Sequence, residues 1–547
     1  MEFQESLLQE SHTDSVKHVK NLDKFFKSMY DYYAAKGIGA IILSQFCAVT
    51  SLGFTIVFSS FLMAFVDWTA LLHCHDEESC HGLNGNLLKD PFHHTPTMAS
   101  FFVFVYFSLF SGFWVWKCMA AMEIISDALD MSSFYREKLG LRLVDLQHMQ
   151  WYEVLERLIL LHERGAYIVA VKEKLTVHDV VMRIMRKENY LIGMINKNAL
   201  DLFIPWWIPF ASERFLTKSI EWALHFCILD YMFDEQFDVS SEFLNDVAGL
   251  QWRFQVVGLI HLLLLPFMLI FMTVHFFLQN AQHFHSSRAY LGPRQWSPLA
   301  LWKFREFNEL PHIFEERINK SYKPANEYIS GFHNPYTEIV ARCLTYIAGA
   351  FVATLLLISV LSDGALLYVH MGDYNLLWYL GIFSALYAGA RSLIPDEPQD
   401  PESSANLLRK TCAHTHYFPP HWDQQASSVE VKDEMCSLYQ YKGQIFLMEI
   451  LSVVLTPVVL CFSLPACAHT VLDFIRNHSR YIEGVGAVCD FSLFDLERYG
   501  DDDYGAEKNG FLAKSHRPND GKLEKSLLNF QQAHPNFNGG EASRALF

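Results

Sequence analysis

From Phe254 to Ser287 the chain carries no charged side chain, and a proline, Pro266, sits inside the run. Its apolar part, residues 254–279 (FQVVGLIHLLLLPFMLIFMTVHFFLQ), is about 26 residues long, enough to cross a bilayer as a helix. A proline removes one backbone hydrogen bond and kinks or breaks such a helix. Lipid cannot satisfy the freed carbonyl, so broken backbone at that depth has to face protein or a water-filled cavity. Gln255, His261 and His275 add polar groups to the run, and a second run, residues 445–468, contains Glu449, Pro457 and Pro465. Two such segments predict a membrane protein that lines a polar path, with each segment dipping as a re-entrant helix pair broken at Pro266 or Pro457. An ordinary span with one tolerated proline is the other reading.

Four further runs read as spans. Residues 38–66 form about 29 uncharged positions, roughly 43 Å as a helix, which exceeds the hydrocarbon thickness and calls for tilt or protrusion. Some 35 polar and amphipathic residues precede it, so it does not read as a signal peptide. Residues 98–116 close on Trp114, Trp116 and Lys117 as interface anchors. Residues 339–361 and 374–390 complete the set. Composition agrees: hydrophobic residues make up 51% and charged residues only 19%, below the quarter usual in soluble chains.

Basic residues give the orientation. The stretch 67–97 holds a single Lys89 against Asp67, Asp76, Glu77, Glu78 and Asp90, whereas 117–253 carries Arg136, Lys138, Arg142, Arg157, Arg183, Arg186 and Lys187. That places 67–97 and 362–373 outside the cytosol and both termini inside it. The expected plan is an all-α polytopic protein. A cytosolic segment (1–37) leads to two transmembrane helices with a lumenal loop (38–122), then a cytosolic helical region with interfacial helices (123–253). A re-entrant pair (254–280), cytosolic helices (281–336) and two more spans (337–391) follow. A cytosolic stretch (392–443), the second re-entrant pair (444–470) and a cytosolic C-terminal region (471–547) complete it. Thr176 followed by Asp179 predicts a capping box. Residues 211–233 interleave apolar and charged residues, as a helix lying on the membrane or packed on other cytosolic helices would. Beyond Tyr499 the chain is turn-rich, apart from a short helix at 523–530.

Catalytic chemistry finds little support. His414, His416 and His421 in HTHYFPPHW have no second histidine box or paired carboxylates to complete a metal site, and read as packed or capping histidines. In 67–97, HCHDEESCH is open to a Cys74–Cys80 disulfide, to zinc or to free thiols. There is no P-loop, dinucleotide fingerprint or nucleophile elbow. A net charge of −17 argues against nucleic-acid binding. No cofactor or metal is expected, and the chain does not read as an enzyme. Basic residues after the first broken run (Arg288, Arg294, Lys303, Arg305, Arg317, Lys320, Lys323) are candidates for lipid head-groups or simple positive-inside flanks.

RKENYLIGMINK (186–197), FREFNELPHIFEERINKSYKPANEYISGF (304–332), RSLIPD (391–396), HTHYFPPHW (414–422) and GVGAVCDFSLFD (484–495) resemble the core of the autophagy-related protein 9 family. The resemblance runs in order from about residue 23 to 536. It implies a domain-intertwined homotrimer with four spans per protomer plus re-entrant helices. It also implies phospholipid scrambling without ATP, on Golgi-derived cytoplasmic vesicles, trans-Golgi, endosomes and the phagophore. A bridge-like autophagy lipid-transfer protein and the autophagy initiation machinery are the implied partners. In the family, charged residues after the first broken pair line a lateral opening. Here that stretch reads His285-Ser286-Ser287-Arg288 in place of a Lys-Arg-Glu run, leaving Arg288 and Arg294 as the nearest substitutes. The implied lipid path takes in His285, Arg288, Arg294, Lys303, Arg305, Arg317, Lys320, Lys323 and Arg391. An ion or solute channel and a structural vesicle scaffold remain as alternative functions.

Overall fold

Long uncharged stretches leave the backbone no partner but itself, and most of the chain is accordingly helical. The computed structural model describes residues 21–66, 68, 98–164, 174–205, 215–286, 293–332, 335–361, 365–372, 374–394, 403–501 and 517–537. Cys74, Cys80 and Arg288 lie outside the described residues, as does the side chain of His285. Helix α1 (Leu22–Ala34) is capped by Asn21 and buries Phe26, Met29 and Tyr30 on one face. α2 (Ile38–Ala64) and α3 (Met98–Glu137) then pair along their lengths. Ser59 meets the buried Tyr106 hydroxyl at 2.8 Å, and the Trp114 indole donates to the Val49 carbonyl.

The expected helix break at Pro266 does not occur. α8 (Val247–Ser286) runs without interruption through the proline, after α4 (Trp151–Glu163), α5 (Val177–Ile184), α6 (Arg186–Asn196) and α7 (Lys218–Leu224). One missing hydrogen bond is tolerated where neighbouring helices hold the rod on both sides of it. Phe102 stacks on Phe267 and Phe110 on Phe271, and Thr55 approaches the His275 ring at 3.3 Å. The second run behaves similarly. α14 (Lys442–Val458) contains Pro457 and continues through a π-helical turn, Val459–Ser463, to Ala466, so the chain turns at Cys467. A π turn absorbs the register lost at a proline without ending the helix.

The two runs pair with each other instead of folding back on themselves. Gln251 donates to the Pro465 carbonyl at one end and Phe276 stacks on Phe446 at the other, which makes the pair antiparallel. Gly258 permits the approach: a Cβ there would meet Cys461 Sγ at 2.6 Å and the Pro457 carbonyl at 3.2 Å. Five described helices are long and apolar enough to cross a membrane: Ile38–Ala64, Ser100–Glu137, Val247–Gln279, Tyr336–Leu361 and Lys442–Ala466. The remaining expected span is the shorter α12 (Leu376–Ser392). It packs on α11 (Pro335–Leu361) through a Phe351–Phe383 stack, and the two pack extensively on no other long described helix.

The other helices form two buried cores. One joins α1, α4, α5 and α6 to the first turns of α8 and to α15 (Ala468–Asn477). The second gathers α9 (Pro298–Phe304), α10 (Pro311–Ser330) and α13 (Ser404–Thr415) around Trp296, Tyr328, Trp422 and Tyr439. Three two-stranded ribbons interrupt the otherwise helical chain among the described residues, a feature absent from the all-α expectation. The expected capping box is present: Thr176 Oγ1 accepts from the Asp179 N–H, and Asp179 accepts from the Thr176 N–H. α7 turns Ile220, Ala223 and Leu224 into the core and leaves Trp222 exposed, stacked on Phe226. The short helix expected near the C-terminus is α16 (Lys522–Ala533), docked through Leu523, Leu527 and Phe530.

Candidate functional site

Where α8 and α14 approach the second core, a short clasp holds the chain. Strand β1 (Arg294–Trp296) pairs antiparallel with β2 (Tyr439–Tyr441), which leads directly into α14. Arg294 donates to the Tyr439 carbonyl at 2.9 Å and lies over the Tyr441 ring at 3.9 Å. Arg294 therefore fastens the clasp.

Beside the clasp lies a cavity of about 290 Å³ bounded by α9, β2 and the first turns of α14. Ile445, Met448 and Leu299 form its apolar wall, and Lys303, Glu449, Ser297 and Thr217 its polar one. Thr217 is buried and its hydroxyl has no partner among the described residues. Glu449 is the one acid between Lys442 and Ala466, and an ionisable group in such a helix marks a polar path or a ligand. Groups of both charges against an apolar wall suit an amphiphile, with its head among the polar side chains and its tails along the helix.

The basic candidates do not converge on this cavity. Lys303, in the last turn of α9, lines it. Arg305 lies over the Trp302 and Phe314 rings. Lys320 and Lys323 pair with Glu316 and Glu327 on the exposed face of α10, and Arg391 donates to the Ile394 carbonyl at the end of α12. Arg317 requires a correction: it is buried and forks onto Glu309, with Nε at 2.8 Å and Nη2 at 2.7 Å. It also donates to the carbonyls of His414 and Phe304. Burial disfavours its charge, but Glu309 outweighs burial and holds its pKa above the usual arginine value. A saturated, buried guanidinium serves the fold and is no lipid contact.

The motif residues outside the cavity are structural as well. Asp23 ties α1 to Arg183 and Arg186 at 2.7 Å each, and Arg186 also donates to the Val485 and Ala487 carbonyls of the hairpin formed by β3 (Ser479–Ile482) and β4 (Gly486–Cys489). Gly486 has φ +95°, and a Cβ there would meet the Phe237 carbonyl at 2.8 Å. Asn308, at φ +57°, exchanges hydrogen bonds with Asn189. His416 caps α13 and meets Glu306 at 2.7 Å, while His421 and Trp422 share Glu434. Burial acts to raise the Glu306 pKa, yet His416, Arg317 and Lys522 outweigh it and hold the carboxyl below its usual range. Thr217 and Ser297 gave no sign in the sequence, because ordinary hydroxyl residues carry none. Glu449 was visible as a lone charge in an apolar run.

Helices of spanning length joined to buried helical cores, with an amphipathic cavity where they meet, define a multi-pass helical membrane protein. The family profile described as autophagy protein ATG9 matches residues 14–495. The chain belongs to that family. It is 37% identical over 544 residues to autophagy-related protein 9 of Arabidopsis thaliana, an alignment covering 96% of this chain and 62% of the relative. The corresponding protein of Dictyostelium discoideum is 33% identical over 541 residues, covering 97% of this chain and 75% of the relative. The chain thus spans under two thirds of the Arabidopsis relative's length. The cryo-EM structure of Schizosaccharomyces pombe Atg9 superposes with a TM-score of 0.64 at 32% identity, over 87% of this chain and 100% of that one.

Proposed function

We propose that this chain is an energy-independent phospholipid scramblase that moves lipids between leaflets of autophagy vesicles and the growing autophagosome membrane. The observation that carries the reading is the placement of Glu449 and Lys303 in one cavity walled by an apolar helix. A head-group crossing hydrocarbon loses several kcal/mol of hydration. A wet, charged recess opening along an apolar helix lowers that barrier while the tails stay in lipid. Transport down a gradient needs no nucleotide. The α11–α12 hairpin, which leans extensively on no other long described helix, supports a homotrimer in which a second protomer covers it. On this reading the protein resides on Golgi-derived vesicles with both termini in the cytosol. A bridge-like lipid-transfer protein delivers lipid to the outer leaflet, and the initiation machinery binds the cytosolic face.

Replacing Glu449 and Lys303 together by leucine should slow leaflet exchange about tenfold, the effect of losing one charge-assisted contact. Fluorescent phospholipids in liposomes report the rate, with a trapped dye confirming that the vesicles stay closed. Unchanged exchange in a correctly inserted double variant would remove the cavity from the lipid path.

A further inference from the structure

A second cavity, of about 490 Å³, lies between α10, α13, α16 and the start of α4, away from the clasp. Its wall carries hydrogen-bond donors from α10 and from the end of α16. His534 is 2% exposed, and neither of its ring nitrogens has a partner among the described residues. His312 has a defined tautomer: Tyr30 Oη accepts from the His312 backbone N–H at 3.2 Å, and the Tyr30 hydroxyl, which has no other acceptor among the described residues, donates to Nδ1 at 2.8 Å. The remaining ring proton therefore sits on Nε2. Lys320 stands at the rim, where the cavity's one carboxylate, Glu316, pairs with it at 2.8 Å.

We propose that this cavity binds a phosphate ester, with its oxygens accepting from His312, His534 and Lys320. Three acceptor oxygens match donors from α10 and from the end of α16, and the volume leaves room for the organic part. The histidines are not gathered for a metal: no group of three metal-ligating side chains occurs among the described residues. Burial keeps His312 and His534 neutral near pH 7, each pushed down to about 4, with Lys36 also lowering His312 and His178 lowering His534. They reach a phosphate as neutral donors. The ester has two sources, a soluble metabolite or a phosphorylated lipid head-group.

Calorimetric titration of the full chain in nanodiscs tests the site. Soluble inositol trisphosphate is one probe, and a short-chain phosphatidylinositol phosphate is the other. Saturable binding of one equivalent per chain, weakened at least about tenfold by Lys320→Glu, is expected. Lys320 is exposed, so that variant keeps the fold; His534→Gln, checked by its melting curve, is the second variant. Binding of the soluble ester supports the site with a metabolite as ligand, and binding of the lipid form alone supports it with a head-group. Absence of binding by both probes, or affinities that neither variant changes, would overturn it.

Discussion

Arg317→Leu separates a structural arginine from one on the lipid path. In the parent chain Glu309 is fully buried and holds two charge-assisted bonds from Arg317. Removal of the guanidinium leaves that carboxylate with the Asn529 amide and the Glu306 N–H alone, and strips a donor from the Phe304 and His414 carbonyls. Breaking a buried pair by deleting one partner costs about 3–5 kcal/mol, because the remaining charge stays desolvated. The upper half of that range is expected here, since two carbonyls lose a donor as well. Lys323→Leu removes only an exposed pair at 3.9 Å and should stay within about 0.5 kcal/mol. Tryptophan-fluorescence melting in detergent, at one heating rate, compares the variants. Arg317→Leu should unfold well below the parent, with Arg317→Leu/Glu309→Leu recovering part of the loss. If Arg317→Leu melts like the parent while lipid exchange falls, the structural assignment is refuted.

Acid should loosen the helical cores. His312 and His534 take up a proton near pH 6.5 in the unfolded chain but near 4 in the folded one. Stability is therefore present above about pH 6.5 and is lost as pH falls toward 4, by about 2 kcal/mol per histidine at pH 5. Melting curves from pH 7 to 5 should show the loss, and His312→Gln/His534→Gln should flatten it; a flat parent profile would contradict the burial argument. Pro266→Ala restores a hydrogen-bond donor to a helix that is already continuous, so the variant should melt no lower than the parent and exchange lipid at the same rate. A marked loss of exchange would show that the proline holds a functional break.

Much of the fold was legible because hydropathy and capping are local. The extents of α2 and α11, the Thr176–Asp179 box and the short C-terminal helix follow from residues within a few turns of one another. α3 instead runs on to Glu137, well past the expected end at residue 116, because charged residues do not end a helix that leaves the membrane. Pro266 misled because its local cost is real, whereas the contacts that hold α8 straight, Phe102 and Phe110, are more than 150 positions away in sequence. Arg317 misled for a similar reason: sequence shows a positive charge but not the buried Glu309 that neutralises it across one turn and a helix start. The cavity is assembled from Thr217, Ser297, Lys303 and Glu449, which lie far apart along the chain; Lys303 and Glu449 stood out in the sequence as charges, and the two hydroxyl residues did not.

The central claim is passive lipid movement, and leaflet exchange tests it most directly. The purified chain goes into closed liposomes holding fluorescent phospholipid in both leaflets, without ATP or calcium, and a membrane-impermeant quencher is added outside. The account predicts quenching well past the outer-leaflet half while a trapped dye stays inside. A plateau at one half, with insertion of the protein verified, would contradict it.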